Sequence, residues 1–182
     1  MRAAQSMVGL CVALCATTAV QAAGAGRFGW LGLAPAEAGQ TVAQAEAALG
    51  APLQAAPPAA KDAKDAGADK DAKGCHLRSA ASQPGVAYIV NQGVVTRTET
   101  RDARYATVRG VRVGDDVKLV RQIYGQRLSV TPHVYFARGL MLAVYSPDRK
   151  FALVMESNDA GRIVTLRGGM VPAVEFLEGC SA

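Results

Sequence analysis

Aromatic side chains and histidines are scarce in this chain of 182 residues. Aromatic residues make up 5% of the sequence, and there are only two histidines. All the aromatic side chains lie between Phe28 and Phe176, which places the hydrophobic core in that part of the chain. The low aromatic content, together with the lack of a long charged block, excludes a coiled coil. The lack of a second long apolar run excludes a polytopic membrane protein.

Residue groups that would carry catalysis are also lacking. A hydrolytic site needs a nucleophile beside a base, a defined pair of carboxylates or a set of metal ligands. His76 and His133 lie in no such motif, and His133 is expected at a surface or strand edge. A glycosidase-like pair of Glu156 and Glu178 is a weak alternative, since both glutamates are expected in water near strand ends. The sequence therefore predicts no enzyme, no cofactor and no metal ion.

The first 26 residues have the three-part pattern of a secretory signal. Arg2 is followed by an uncharged run from Met7 to Val20 and then by small residues. A run of about 14 residues is too short to span a bilayer as a helix. We expect cleavage after Ala22, so that residues 1–22 are a signal peptide and the mature protein is periplasmic or secreted.

Cleavage would remove two of the four cysteines, Cys11 and Cys15. Lipidation of one of them is an alternative, but each follows a leucine where lipidation signals have a small residue. The remaining pair, Cys75 and Cys180, predicts one disulfide in an oxidising compartment. A metal site is the competing interpretation, although neither cysteine has a second ligand at metal spacing.

Residues 55–74 differ sharply in composition from the rest of the chain. They contain only Ala, Pro, Gly, Lys and Asp, and the lysines and aspartates are equal in number. Because no side chain there can fill a core, the segment is predicted to be a flexible surface insertion. It separates residues 23–54 from residues 75–106 in the first half, and residues 107–182 form the second half.

The two halves share a helix pattern. The segments 39–50 and 114–125 both begin and end with glycine and have the same length. Thr41 and Asp116 are residue types that cap helix N-termini, the apolar positions recur at helical spacing, and the closing glycine suits a left-handed C-cap. Each segment predicts a short helix, which needs a partner surface to be stable.

Predicted strands follow each helix and supply that surface. Alternating apolar and polar residues indicate strands with one face in a core and one face in water. The predicted strands are residues 76–80, 86–90 and 94–100 in the first half, and 132–137, 140–145, 151–156 and 162–166 in the second. We therefore predict an α+β fold of two tandem repeats, each a short helix packed on an antiparallel β-meander. The disulfide would join the two repeats.

This repeated pattern of a capped helix ending in Leu-Gly or Tyr-Gly, followed by an antiparallel sheet, resembles the β-lactamase inhibitor protein-like fold. Small outer-membrane assembly lipoproteins share that fold. The second half is similar to a set of uncharacterised secreted bacterial proteins at residues 107–115, 124–125, 132–135 and 174–180. The resemblance implies a sheet face or loop edge that binds another protein, without cofactor or catalysis. The inhibitor's target-binding loop has no counterpart here, so β-lactamase inhibition is not expected.

Five side chains are candidate contacts to a partner: Tyr135, Tyr145, Arg97, Arg109 and Arg138. Exposed tyrosines are typical of protein interfaces and also stack on sugars. The cluster of Arg97, Arg101, Arg104, Arg109 and Arg112 predicts a basic face that could meet an anionic envelope surface, and an ordinary solvated sheet face is the alternative. Export argues against nucleic acid as a partner.

Together these features predict an exported protein that binds or inhibits another envelope or secreted protein. A carbohydrate-binding protein or an outer-membrane-associated structural protein is the alternative, and a small hydrolase is the third hypothesis.

Overall fold

The structure is a computed structural model that describes residues 26–55 and 74–180. The predicted signal peptide, and the predicted insertion apart from its two end residues, lie outside the described residues. The elements in chain order are β1 (Arg27–Gly29), β2 (Gly32–Leu33), α1 (Val42–Leu49), β3 (Gln54–Ala55), β4 (Cys75–Ser79), β5 (Val86–Asn91), β6 (Val94–Thr100), β7 (Ala106–Thr107), α2 (Val117–Tyr124), β8 (Ser129–Pro132), β9 (Leu140–Tyr145), β10 (Phe151–Ser157) and β11 (Ile163–Met170).

One antiparallel sheet of eight strands dominates the fold. Its strand order is β3-β4-β5-β6-β11-β10-β9-β8, so the strands that end the two meanders, β6 and β11, pair at its centre. In that pair Leu166 lies opposite Thr100 and Gly169 lies opposite Arg97. The three short strands β1, β2 and β7 form a second, small sheet. The predicted α+β class is therefore confirmed, with two α-helices and a large antiparallel sheet in the described part of the chain.

Both helices begin at the capping residues that the sequence predicts. The Thr41 hydroxyl accepts the Gln44 N–H, and the Gln44 side chain accepts the Thr41 N–H at 2.9 Å, which completes a capping box. α1 then ends at Gly50, whose φ of 62° is left-handed. At α2 the carboxylate of Asp116 accepts the N–H of Lys118 at 2.8 Å. Among the described residues, neither helix has the length and apolar character needed to cross a membrane.

The prediction of a strand over residues 132–137 is wrong. The strand in this region, β8, ends at Pro132, and the chain then forms a loop before β9. In this loop the Nδ1 atom of His133 accepts the N–H groups of the neighbouring residues Tyr135 and Phe136, a local pattern that a strand, whose successive N–H groups point to opposite sides, does not allow. The candidate residue Tyr135 therefore lies in a loop and not in a strand.

The two faces of the large sheet are covered differently. On β6, Thr98 points towards β2, where its hydroxyl accepts the Leu33 N–H, so Arg97 and Glu99 point to the opposite face by strand alternation. The side towards β2, here called the inner face, carries the main apolar core together with both helices. The opposite side is here called the outer face. Residues 171–180 cross it, and we call this segment the strap.

The inner face is filled by apolar side chains from nearly every element. Buried members of this cluster include Phe28, Tyr88, Leu142, Leu153 and Leu166. On the outer face the described residues form a smaller apolar cluster, in which Val174 of the strap packs on Ala143, Ala152 and Val154. The sheet is thus held on one side by a large apolar core and on the other by the strap.

Candidate functional site

The strap is anchored at both ends. It follows β11 directly, and Cys180 at its far end is bonded to Cys75 at the start of β4, with 5.3 Å between the Cα atoms. The predicted disulfide is therefore confirmed. Because β4 and β11 are separated in the sheet by β5 and β6, the strap has to pass over the middle of the outer face.

Two arginines from the central strands lie beneath the strap. Arg97 is 1% exposed and Arg167 is 2% exposed. Arg97 donates hydrogen bonds to the carbonyl oxygens of Ala173 at 2.9 Å and Phe176 at 2.5 Å. Arg167 donates to the same Phe176 oxygen at 2.5 Å. The expectation that Arg97 belongs to an exposed basic face is therefore wrong, because carbonyl groups of the strap replace water around its guanidinium.

Glutamates supply the opposite charges on this face. A carboxylate oxygen of Glu99 lies 2.8 Å from Arg97 Nη2 and 3.8 Å from Arg167 Nε. Glu156 pairs with Arg167, and its other oxygen lies 3.6 Å from His133 Nε2. Burial lowers the pKa of Arg167 to about 10, and the charge of Arg97 adds to this effect. Since a buried charge without a partner is costly, Glu99 and Glu156 offset the charges of the two arginines beneath the strap.

Glu156 and His133 were expected in water, and both expectations are wrong. The two side chains are buried, and Glu156 joins them to the ion pairs beneath the strap through its contacts with His133 and Arg167. His133 Nδ1 accepts the Tyr135 N–H at 3.0 Å, so the neutral ring carries its proton on Nε2, which faces Glu156. Burial lowers the pKa of His133, and the charge of Arg167 lowers it further. His133 thus links the buried charges to the loop that bears Tyr135.

A groove of about 620 Å³ lies between the strap and the outer surface of β8, β9 and β10. Its floor is apolar and is formed by Met141, Ala143 and Val154. One wall belongs to the loop after β8, where Val134 and Tyr135 are exposed, and the other belongs to the strap, where Phe176 is exposed. The groove therefore has a floor on the sheet and a wall on the strap, and the strap is held by the disulfide and by the buried arginines.

Two tyrosine–glutamate pairs connect the walls of the groove. Tyr135 Oη donates to Glu178 Oε1 at 2.8 Å, and Tyr145 Oη donates to Glu175 Oε1 at 2.5 Å. The hydrogen bond to the neighbouring carboxylate raises the pKa of each tyrosine, so both remain protonated donors at neutral pH. The structure thus brings the candidate residues Tyr135 and Tyr145 together in one groove.

The other two candidate arginines do not line this groove. Arg109 donates to the Ile123 carbonyl at 3.2 Å, and its guanidinium lies 5.8 Å from the centre of the Tyr124 ring, at the end of α2. Arg138 is exposed in the loop before β9, where its N–H donates to Asp159. These two arginines and the buried Arg97 therefore form no continuous basic face.

Sequence reasoning missed the strap side of the groove, which is formed by residues 175–178. The signal that points to them is the predicted disulfide. If Cys180 must reach Cys75, the residues before it have to run across the sheet, and Glu175, Phe176 and Glu178 come with them.

The fold and the groove define an α+β protein in which a strap anchored by a disulfide covers one face of an antiparallel sheet. No protein-family model, no curated protein and no solved structure matches this chain. The functional interpretation therefore rests on the geometry of the groove.

Proposed function

We propose that this chain is an exported, non-enzymatic binding protein and that the groove receives a segment of another envelope protein or of a secreted enzyme. The observation that carries the proposal is the groove itself, whose volume of about 620 Å³ is within the range of protein binding sites. At its rim Val134 is 76% exposed, Tyr135 is 65% exposed and Phe176 is 43% exposed. Clustered exposed apolar and aromatic side chains of this kind are typical of interaction sites.

The disulfide supports the exported part of the proposal. A bond between Cys75 and Cys180 is compatible with an oxidising compartment outside the cytoplasm. The secretory signal pattern of the N-terminal residues predicts export to the same kind of compartment. In that setting the partner is another envelope or secreted protein.

We further propose that the fold consists of two tandem repeats of the β-lactamase inhibitor protein-like type. The order of elements supports this, since α1 is followed by β3 to β6 and α2 is followed by β8 to β11. The caps support it too, because Thr41 and Asp116 take equivalent positions before the two helices. Under this proposal the outer face is a sheet face that binds a protein, as the resemblance implies.

The groove is a better binding site than the open edge of β8. The His133 N–H donates to the Gly139 carbonyl, so the backbone groups of His133 point towards the β9 side. Backbone groups alternate in direction along a strand, and those of Val130 and Pro132 therefore point away from β9, to the open edge. Proline has no N–H, which leaves Val130 as the donor that this edge offers to an added strand. A partner that binds here therefore gains more from the side chains of the groove than from main-chain pairing.

A carbohydrate-binding protein is the second candidate. The observation in its favour is the exposed ring of Tyr135 beside the carboxylate of Glu178. Such a ring can stack on a sugar while the carboxylate accepts a hydroxyl hydrogen. The experiment has to distinguish this candidate from a protein partner.

Site-specific photo-crosslinking tests the proposal. A photoreactive amino acid replaces Val134 at the groove rim or, as the control, Leu119 on the exposed side of α2. In cells that export the protein, we expect Val134 to crosslink to a defined envelope or secreted protein and Leu119 not to do so. The purified partner should then bind the unmodified protein, and Tyr135→Ala should weaken that binding about tenfold or more.

Equal crosslinking from both positions would contradict a binding site in the groove. Glycan-array binding that is lost in Tyr135→Ala, with no protein crosslinked at Val134, would favour the carbohydrate-binding candidate instead.

A further inference from the structure

The charge of the groove is opposite to that of the chain. Lys and Arg number 20 against 15 Asp and Glu, so the formal net charge is +5. Among the described residues that line the groove, the charged ones are Glu175 and Glu178, and both are acidic. A basic protein with an acidic binding groove is suited to a ligand that carries positive charge.

Both carboxylates have acceptor capacity left for a ligand. Each accepts a tyrosine O–H, and neither forms a salt bridge with another residue in the described part of the chain. An ionised carboxylate has about four lone-pair sites, so one tyrosine does not saturate it. The two glutamates are thus oriented by Tyr135 and Tyr145 and still available to a donor.

The two tyrosine rings differ in one respect. The Tyr145 ring already has a cation on it, since the guanidinium of Arg149 lies 4.4 Å from the ring centre. Within residues 26–55 and 74–180 no arginine or lysine is stacked on Tyr135, whose ring is largely exposed. Tyr135 and Glu178 therefore form the end of the groove where a ligand cation gains both a ring face and a carboxylate.

We infer that the groove binds an extended peptide segment that places a lysine or arginine side chain against the ring face of Tyr135 and the carboxylate of Glu178, and an apolar side chain on the floor. This inference rests on the proposed function and names the chemistry of its partner. In an extended segment the side chains of residues two apart point to the same side. A basic residue and an apolar residue two positions apart therefore both point into the groove, the basic one for Glu178 and the apolar one for the floor.

The test uses three capped peptides and the purified full chain. In the first peptide, leucine and lysine alternate and a serine stands between each pair, so that a basic and an apolar residue lie two positions apart. The second has norleucine in place of lysine, which keeps the chain length and removes the charge, and the third has glutamate. We expect the lysine peptide to bind about tenfold more tightly than the norleucine peptide, and the glutamate peptide to bind most weakly. Increased salt should reduce the difference.

Matched variants locate the effect. E175Q/E178Q keeps a hydrogen-bond acceptor for each tyrosine and removes both charges, so the preference for lysine should fall to about twofold or less. E37Q/E46Q removes the same charge from α1 and the turn before it, away from the groove, and should keep the preference. The position of the bound peptide is read from NMR shifts of Tyr135 and Met141.

Equal binding of the lysine and norleucine peptides would overturn the inference and leave a peptide-binding groove, so the proposed function would stand. A preference for lysine that survives in E175Q/E178Q would also overturn it. If no peptide binds while Val134 crosslinks to a protein, the inference is wrong and the proposed function is not. If both experiments fail, the proposed function is wrong as well.

Discussion

The same strands build two very different surfaces on the two faces of the large sheet. Towards the inner face β11 directs Leu166 into the apolar core, and towards the outer face it directs Arg167 into a buried ion pair. Apolar packing depends on area and tolerates small shifts, whereas the outer face depends on directed bonds from guanidinium groups to carbonyl and carboxylate oxygens. Both faces therefore contribute to stability, but by different means, and the directed bonds of the outer face also order the strap, which forms a wall of the groove.

Removing the disulfide on the outer face is expected to cause the largest loss in the free energy of unfolding. C75S/C180S opens a loop of 105 residues. The chain-entropy model gives such a loop about 4–5 kcal/mol as an upper value. Urea unfolding should show a loss approaching that value, and the lysine peptide should bind more weakly because one anchor of the strap is gone. Unchanged peptide binding would show that the arginines alone hold the strap.

The next effect is expected from Arg167→Met. The substitution leaves Glu156 buried without its basic partner, and breaking a buried ion pair in this way costs about 3–5 kcal/mol. R167M/E156Q removes the uncompensated charge, so part of the lost free energy of unfolding should return. The measurement is urea unfolding of the two variants beside the unmodified protein.

Leu166→Ala is the matched control on the inner face. It removes a fully buried leucine next to Arg167 in the chain and should cost about 2–5 kcal/mol through the cavity that it leaves. Adding E156Q to this variant should restore nothing. If E156Q rescues both variants equally, the two faces are not distinct in the way described above.

A smaller effect is expected from pH. The pKa of His133 lies below its ordinary value of 6.5 in the folded chain, so the unfolded chain takes up the proton first. The protonation of His133 therefore leaves folding stability unchanged well above pH 6.5, the ordinary pKa of the unfolded chain, and lowers it as the pH falls below that value. The charged groups that face the ring are Glu156 from β10, Arg167 from β11 and Asp159 from the turn between these strands.

The pH effect is measured as the urea midpoint at about pH 7.5 and about pH 5.5. We expect His133→Gln to show a weaker decrease between these values than the unmodified protein. A decrease of the same size in both would mean that carboxylates, and not His133, cause it.

The smallest effect is expected from the helix caps on the inner face. Thr41→Ala removes the hydroxyl of the capping box and should cost about 1 kcal/mol in the free energy of unfolding. Affinity for the lysine peptide should not change, because α1 packs on the inner face. A change in affinity would show that the two faces are coupled through the sheet.

The inner face could be predicted from the sequence because its signals are local. Capping residues, closing glycines and alternating strands identify α1, α2 and most of the strands within short windows. The outer face could not be predicted in this way. Arg97 and Glu156 occupy the alternate positions of strands, where a polar residue normally faces water, and they are buried by a strap that lies far away in the chain.

The groove was predictable in part. Tyr135 and Tyr145 were recognised as candidate contacts from their residue type, and the cysteine count predicted the bond that anchors the strap. Glu175 and Glu178 could not be placed in the groove from the sequence, because nothing in their own neighbourhood shows that the two tyrosines lie opposite them. The partners of a long-range hydrogen bond are not encoded by spacing.

Phe176 connects the buried arginines beneath the strap with the groove beside it. Its carbonyl oxygen accepts hydrogen bonds from the guanidinium groups of Arg97 and Arg167, and its side chain lines the groove. A protein engineer could therefore adjust the shape of the groove from behind, by changing residues that no ligand touches. Substitutions at positions 97 and 167 would move the strap wall and so change the shape of the groove, although neither side chain lines it.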